Sequence, residues 1–272
     1  MNWLQSILYG FIVSFCEFIP ISTLAQEQLL QSLFGLHGND YIRSLIIHLF
    51  TLAAFLTAWR APLEMFNHNI QLSRRRRGNY GRATKELADA KFIRGAAIPM
   101  LLTMILVFYF TKRSDTLPTI LLLLLGGIIL YLPQRMLQGN KSARAMSVMD
   151  AWVIGIVSAF GVIPGFSRIG MTISVAQMRG ADRRHALNWG YMLSIPALLL
   201  LIGGDLVNLI FNSQFLAVSS GFGGYLLICI SSFAGAYTSV YFMRNIILNH
   251  GLNGFAYYSW GAALFAFILY LL

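Results

Sequence analysis

"GVIPGFSRIGMTIS", residues 161–174, interrupts an oily run with a Pro-Gly bend, three hydroxyls and one arginine, Arg168. The run it breaks, 151–178, is otherwise apolar enough to lie in a lipid bilayer, and neither half is long enough to cross one. A half-helix that cannot cross must turn and leave by the side it came from. The stretch therefore reads as the tip of a re-entrant helix hairpin. "EFIPIST", residues 17–23, breaks the apolar run 2–36 in the same way.

Around these two interruptions the apolar runs are unbroken. A helix crossing the bilayer needs about 20 apolar residues at about 1.5 Å each. Six segments meet that length: about 42–59, 93–111, 117–134, 187–211, 219–242 and 252–271. With 57% hydrophobic residues and only 11% charged, the 272-residue chain is too apolar for a soluble domain of its length. The fold expected is an all-α integral membrane protein of six transmembrane helices plus two re-entrant hairpins. Residues 1–272 form one membrane domain, with repeat 1 at about 1–111, repeat 2 at about 112–272 and a basic cytoplasmic loop at 60–94.

The net charge of +10 does not point to nucleic acid, because the basic residues form no face. They sit in short loops, where they set membrane orientation. Loop 60–94 carries Arg60, the run Arg74 to Arg77, Arg82, Lys85, Lys91 and Arg94, so it is expected inside. Arg135, Lys141 and Arg144, then Arg179, Arg183 and Arg184, then Arg244, also fall inside, provided both broken runs re-enter rather than cross. Both termini then lie outside. Lys112 and Arg113 are the exception, diluted by Asp115. The "SRRRRGNYGR" run, 73–82, is read as the topology determinant, in reach of anionic lipid. Cys16 and Cys229 lie in apolar segments without metal-ligand spacing and are expected to pack. The first apolar run has no basic start and no small-residue cleavage site, so it is expected to stay as a membrane element.

The broken runs repeat each other at an offset of 144 residues. "IVSFCEFIPIST" (12–23) aligns with "IVSAFGVIPGFS" (156–167), with Ile12, Val13, Ser14, Ile19 and Pro20 identical and Thr23 opposite Ser167. Three full spans, an odd number, separate the two, so the hairpins enter from opposite faces. An inverted-topology repeat with discontinuous helices is a recurrent frame for a buried ligand site near the midplane.

Glu17 and Arg168 are ionisable groups inside membrane-buried elements, where each costs about 2.5–3.5 kcal/mol at the bilayer centre. The plain alternative is that they pair and lock the hairpins together. The functional reading adds the surroundings of Arg168. After Pro164-Gly165 a new helix begins with free backbone N–H groups and a positive dipole end. Gly165, Ser167, Arg168 and Thr172 at that start make an anion pocket suited to phosphate. In the first hairpin Glu17 lies six residues before Thr23, with Ser22 beside it. A carboxylate there can act as base, orient a hydroxyl nucleophile, or hold a divalent cation, Mg²⁺ or Ca²⁺, against phosphate oxygens. Ser22 and Thr23 can equally be helix caps. Gln26 and Glu27 follow one turn on, Glu27 being either a second site carboxylate or an outer-interface charge. His48 either bonds a neighbouring backbone group or lines the site. Asp150 is read as a cap; Asn188, Asp205 and Asn208 are left between interior and interface.

The stretch "MDAWVIGIVSAFGVIPGFSRIGMTISVAQMRG" (149–180), continuing into "YMLSIPALL" (191–199), resembles the undecaprenyl-pyrophosphate phosphatases, the bacitracin-resistance membrane phosphatases. "EFIPIS" (17–22), "IIHLFTLAAF" (46–55), "IP" (98–99) and "FAYY" (255–258) fall in the family's order. The resemblance implies removal of a phosphate from undecaprenyl pyrophosphate at the outer side of the bacterial inner membrane, recycling the lipid carrier for cell-wall synthesis. By position, Glu17 matches the second glutamate of the family's acidic motif, and Ser167, Arg168 and Thr172 its phosphate-binding stretch. Ser22 matches the first of two adjacent serines, and Thr23 stands where the second, a proposed nucleophile, would be. The family's first acidic-motif glutamate falls on Val13, its histidine on Gln26, a serine after the arginine on Ile169, and a C-terminal arginine on Ser259. The phosphate cradle is kept better than the acid–base groups. The expected partners are a polyprenyl pyrophosphate and membrane lipids, and a homodimer is compatible with this reading. A non-hydrolytic polyprenyl-phosphate carrier or flippase on the same scaffold is the second reading, and a purely structural paralogue the third.

Overall fold

Asn2 accepts a hydrogen bond from the Gln5 backbone N–H and starts α1, Trp3–Cys16. The chain bends through Pro20, and Ser22 caps the start of α2, Thr23–Leu33, by accepting from the Ala25 N–H. The second broken run repeats this grammar. Ser147 and Asp150 form a reciprocal capping box at the start of α6, Val148–Ala159. A 3₁₀ turn and the Pro164-Gly165 bend follow, and Ser167 caps α7, Arg168–Met178, by accepting from the Gly170 N–H. The cap read at Asp150 is thus observed. Each half-helix spans only 11–14 residues, too short for the bilayer core.

The computed structural model describes residues 1–36, 40–59, 80–110, 116–211 and 220–271, with backbone alone at 80–87 and 109–110. Its long helices are α3, Tyr41–Ala58; α4, Tyr80–Phe110; α5, Thr116–Tyr131; α8, Arg183–Phe211; α9, Phe222–His250; and α10, Asn253–Leu271. Among the described residues there are ten α-helices and no β-strand. Six of the helices are long and apolar enough to cross a membrane. The chain is an all-α, multi-pass membrane protein.

Three helices run further than the apolar pattern predicts. Helix α4 begins at Tyr80, not near 93; α8 begins at Arg183, not 187; and α9 continues to His250, not 242. Hydropathy marks only the lipid-immersed part. "ATKELADAKF" (83–92) is rich in strong helix formers and carries the helix into water. At about 1.5 Å per residue, the 29 residues of α9 reach about 43 Å, beyond the ~30 Å hydrocarbon layer. Of the basic loop expected at 60–94, residues 80–94 are therefore helical; residues 60–79, with most of the arginine run, lie outside the described residues.

Helix α9 serves as a ruler for where each hairpin enters. Along it, Gly224 lies against Ser6, Gly10 against Ser231, Gly235 against Phe11, and the Ser239 hydroxyl donates to the Phe15 carbonyl at 2.7 Å. The base of the first hairpin therefore sits at the start of α9, and its tip reaches toward the middle. Near that start the Tyr225 hydroxyl donates to Asp40 at 2.9 Å. The base of the second hairpin sits at the other end. Asp150 of α6 pairs there with Arg179, and Lys141 bonds to the Arg179 carbonyl. Arg183 donates to the Leu248 carbonyl at 3.2 Å, close to the end of α9. The hairpins enter from opposite ends of the bundle.

Small residues let the helices approach, as expected where lipid supplies no hydrophobic drive between them. Helix α6 crosses α4 so closely that a Cβ on Gly155 would stand 2.1 Å from the Ala96 carbonyl oxygen and 3.1 Å from Pro99. The interior is filled by Phe18, Phe55, Trp59 and Tyr191, with the Phe18 and Phe55 rings stacked at 4.7 Å. Leu102, Ile105, Leu121 and Leu264 lie exposed, as lipid-facing residues should.

Exchanging Gly155 for alanine tests that crossing. Alanine gains about 1 kcal/mol of helix propensity over glycine, but overpacking costs about 1–3 kcal/mol, and a backbone carbonyl cannot swing aside. Gly155→Ala should lower the melting temperature in detergent. Gly204→Ala, where a Cβ meets nothing within 4 Å, should leave it unchanged or raise it.

Candidate functional site

The two hairpin tips meet and satisfy one another's polar groups. Ser22 accepts from the Gly165 N–H at 2.8 Å, in addition to its bond from the Ala25 N–H. Ser167 returns the contact by donating to the Ile19 carbonyl at 3.2 Å. Between these bonds the Arg168 guanidinium pairs with the Glu17 carboxylate, both side chains being 10% exposed or less. The sequence thus brings Glu17, Ser22, Gly165, Ser167 and Arg168 to one place from positions about 150 residues apart.

Glycine is required at two points of this junction. Gly165 has a φ of +107°, and a Cβ there would lie 2.5 Å from Leu122 and 2.9 Å from the Thr119 carbonyl of α5. Gly161 lies so near that its Cβ would stand 2.2 Å from the Arg168 Cα. The guanidinium is therefore seated by backbone. Its pairing with Glu17 is incomplete: the buried Arg168 Nε–H has no hydrogen-bond partner. A buried donor without an acceptor costs about 1–3 kcal/mol, and more on a charged group, so this N–H is open to an acceptor.

The other expected residues take distinct places. Thr23, half-buried, is the first residue of α2, next to Ser22. Thr172 is fully buried one turn inside α7; its hydroxyl lies 2.7 Å from that of Ser158 on α6 and 2.8 Å from the Arg168 carbonyl. Gln26 is buried and accepts from the Tyr258 hydroxyl of α10 at 3.0 Å. Glu27 joins a separate network, accepting from Tyr9 at 2.8 Å and from Gln31 at 3.0 Å. The Arg43 guanidinium covers the Tyr9 ring at 4.6 Å. His48 lies in the bundle with Nδ1 2.7 Å from an Asp205 carboxylate oxygen, to which Ser44 also donates at 3.0 Å.

Tyr9 and Arg43 carry no mark in the sequence, Tyr258 stands out only as part of the FAYY stretch, and Asp205 has no partner legible there. A signal existed for Asp205 and His48. Two ionisable side chains in different membrane spans each need a partner, and each is the other's nearest chemical match. No periodicity marks a tyrosine hydroxyl as a hydrogen-bond donor, so Tyr9 and Tyr258 read as ordinary apolar-face residues.

Among the described residues no three His, Cys, Asp or Glu side chains cluster as a metal site. A hard cation held by one carboxylate plus phosphate oxygens needs no such cluster, and Glu17 fits that role. Two positions where the resemblance would put polar groups are apolar here. Val13 packs with Tyr9, Leu30, Ile47 and Ile228, and Ile169 is fully buried.

The sequence pattern described as "Bacitracin resistance protein BacA" matches residues 6–265 of the chain. An undecaprenyl-diphosphatase of Carboxydothermus hydrogenoformans is 26% identical over 96% of this chain and 94% of its own. An undecaprenyl-diphosphatase of Desulforudis audaxviator is 30% identical over 95% and 94%, and one of Thermodesulfovibrio yellowstonii 27% identical over 98% and 96%.

The tip contact carries its own test. Removing one partner of a buried ion pair strands the other charge, at a cost of about 3–5 kcal/mol, whereas removing both does not. Glu17→Gln and Arg168→Gln should each depress the melting temperature markedly. The double variant should melt above at least one of the singles, a non-additivity read directly from a thermal-shift cycle.

Proposed function

The chain belongs to the bacitracin resistance protein BacA family, and from that premise we propose that it is an undecaprenyl-pyrophosphate phosphatase. It removes the terminal phosphate of the lipid diphosphate and returns the lipid monophosphate as a carrier for cell-wall precursors. The observation that carries this reading is the unpartnered Nε–H of Arg168, buried between the hairpin tips beside a helix start. A guanidinium fork with a spare donor, at the positive end of α7, is complementary to a diphosphate.

Arg168 and the first N–H groups of α7 hold the phosphates, with Ser167 setting the turn. Thr172 supports that turn from behind by tying α7 to Ser158 of α6. The two hydroxyls at the start of α2 are not equivalent. The Ser22 oxygen already accepts two N–H bonds, which occupy its lone pairs. Thr23 is the nucleophile. Glu17 keeps the guanidinium oriented and offers a carboxylate to a divalent cation shared with the diphosphate, which would neutralise phosphate charge when bound. Gln26, held by Tyr258, follows Thr23 one turn on along α2.

The carrier reading keeps the same pocket but lacks a comparable support. The relatives named as hydrolases align over 94% or more of their own length, so the likeness includes both hairpins. The basic end, with Arg135, Lys141, Arg179 and Arg183, belongs in the cytoplasm by the positive-inside rule. That puts the first hairpin's base, and both termini, on the outer face of the bacterial inner membrane.

The assay uses purified protein in detergent, undecaprenyl pyrophosphate and Mg²⁺, with released phosphate as readout. The wild type should release phosphate, and chelation should suppress release until Mg²⁺ or Ca²⁺ is restored. Arg168→Ala should lose a factor of about 10²–10³, the scale for removing a charge-stabilising donor. Thr23→Ala should lose at least as much while Thr23→Ser stays active. Lipid binding without release by the wild type would replace the hydrolase with the carrier.

A further inference from the structure

The basic end of the bundle holds a cavity of about 840 Å³, the size of a ligand pocket, and none of its lining residues belongs to the tip junction. Four helices wall it. Trp59 closes α3, Asp89 comes from α4, Arg184, Asn188 and Met192 from α8, and Arg244 from α9. Contacts between these helices hold the walls in place. Arg183 ties the start of α8 to the Leu248 carbonyl, the Trp189 ring lies 4.2 Å from Phe92, and the Trp59 ring lies 5.4 Å from Tyr191. The lining charge favours an anion. Arg183 is engaged with Leu248 and Gln134, and Asp182 accepts from the Arg184 N–H at 3.1 Å. Arg184 and Arg244 are exposed on the cavity, and among the described residues neither guanidinium has a hydrogen-bond or ion-pair partner. The start of α8 adds the positive end of its dipole. Two free guanidinium forks from different helices, on one cavity, match a phosphate.

An apolar groove of about 720 Å³ lies further along α9, lined by Phe11 and Phe15 of α1 and by Tyr237, Tyr241 and Phe242 of α9. At 3.6 residues per turn, Tyr237, Tyr241, Arg244 and Leu248 share one face of α9. The first two belong to the groove and the last two to the cavity. Tyr241 is thus one turn from Arg244, and groove and cavity follow one another along the helix. Their order is set by α9, which ends at His250 on the basic side, while Ser239 meets Phe15 toward the middle of the bundle. A basic pocket at the helix ends, followed inward by an aromatic groove, has the polarity of a phospholipid with its headgroup outermost. A soluble anion would fill the cavity and leave the groove empty.

We propose that the basic end of the bundle is a binding site for an anionic phospholipid, with Arg184 and Arg244 holding the phosphate and Tyr237 and Tyr241 an acyl chain. Basic pockets between transmembrane helices are a recurrent seat for such headgroups. The site goes beyond the phosphatase reading and stands without it, since it shares no residue with the hairpin tips. Bound there, the lipid bridges α8 and α9 and stabilises the folded chain by mass action.

The purified chain in neutral detergent, without undecaprenyl pyrophosphate, is titrated with dioleoyl phosphatidylglycerol, dioleoyl phosphatidylcholine or inorganic phosphate. Bound lipid is counted by native mass spectrometry, with melting temperature and light-scattering mass alongside. Phosphatidylglycerol should bind and raise the melting temperature, and the other two should do so far more weakly. Arg184→Gln/Arg244→Gln should weaken phosphatidylglycerol binding by about 30-fold, at about fivefold for each basic residue near a membrane surface. Arg135→Gln, which removes an exposed charge at the same end but outside the cavity, should leave it unchanged. Tyr241→Ser should weaken it a few-fold. Binding unchanged in the double arginine variant, or lost equally in Arg135→Gln, puts the lipid on another basic surface, such as the arginine run at 74–77, and overturns the site. Equal stabilisation by inorganic phosphate overturns the lipid assignment. A dimer that dissociates in Tyr241→Ser while lipid binding is unchanged gives the groove to a second copy of the chain and overturns it too. Phosphate release from undecaprenyl pyrophosphate, measured separately, decides the phosphatase reading whichever way the lipid titration falls.

Discussion

A carboxylate and a guanidinium, each removed from water inside a membrane, can persist only if they find each other, and the rest of this molecule is arranged around that meeting. Removing a charge from water costs several kcal/mol even after relaxation. Glu17 and Arg168 share that cost between the tips of two hairpins, neither of which crosses the bilayer. The hairpins bring a second debt. Their broken ends expose backbone N–H and C=O groups at membrane depth, tolerated only where protein covers them. The Ser22 to Gly165 and Ser167 to Ile19 bonds cover them reciprocally. The ion pair and the backbone bonds are therefore one junction, and the close crossings of α1 on α9 and α6 on α4 deliver the tips to it.

Much of this was legible in the amino-acid order, because bilayer physics writes plainly. A run of apolar residues has one minimum length, a Pro-Gly break in it has one consequence, and basic loops have one preferred side. The two hairpins, the caps read at Ser22 and Asp150, and six spans follow from those rules; the cap at Ser167, read there as a phosphate ligand, does not. The helix ends did not, since a polar helix leaving the membrane, such as the first turns of α4, carries no hydropathy signal. Partners across the bundle were harder still. Tyr9 reaching Glu27 and Tyr258 reaching Gln26 depend on crossing angles, to which periodicity along one helix is blind. Asp205 and His48 are 157 residues apart, and only the expense of an unpaired charge in lipid hints that they belong together.

The two repeats share a backbone plan and divide the chemistry. Position 17 of the first repeat corresponds to Gly161 in the second, and position 168 corresponds to Leu24 in the first. Each repeat thus gives one charge and withholds the other. Sterics make the division obligatory on one side. A Cβ on Gly161 would stand 2.2 Å from the Arg168 Cα, so no carboxylate can occupy the place equivalent to Glu17 while Arg168 keeps its seat. The constraint lies in the backbone, because the atoms a Cβ on Gly161 would meet are the Cα, N and Cβ of residue 168, which hold the turn whatever side chain follows.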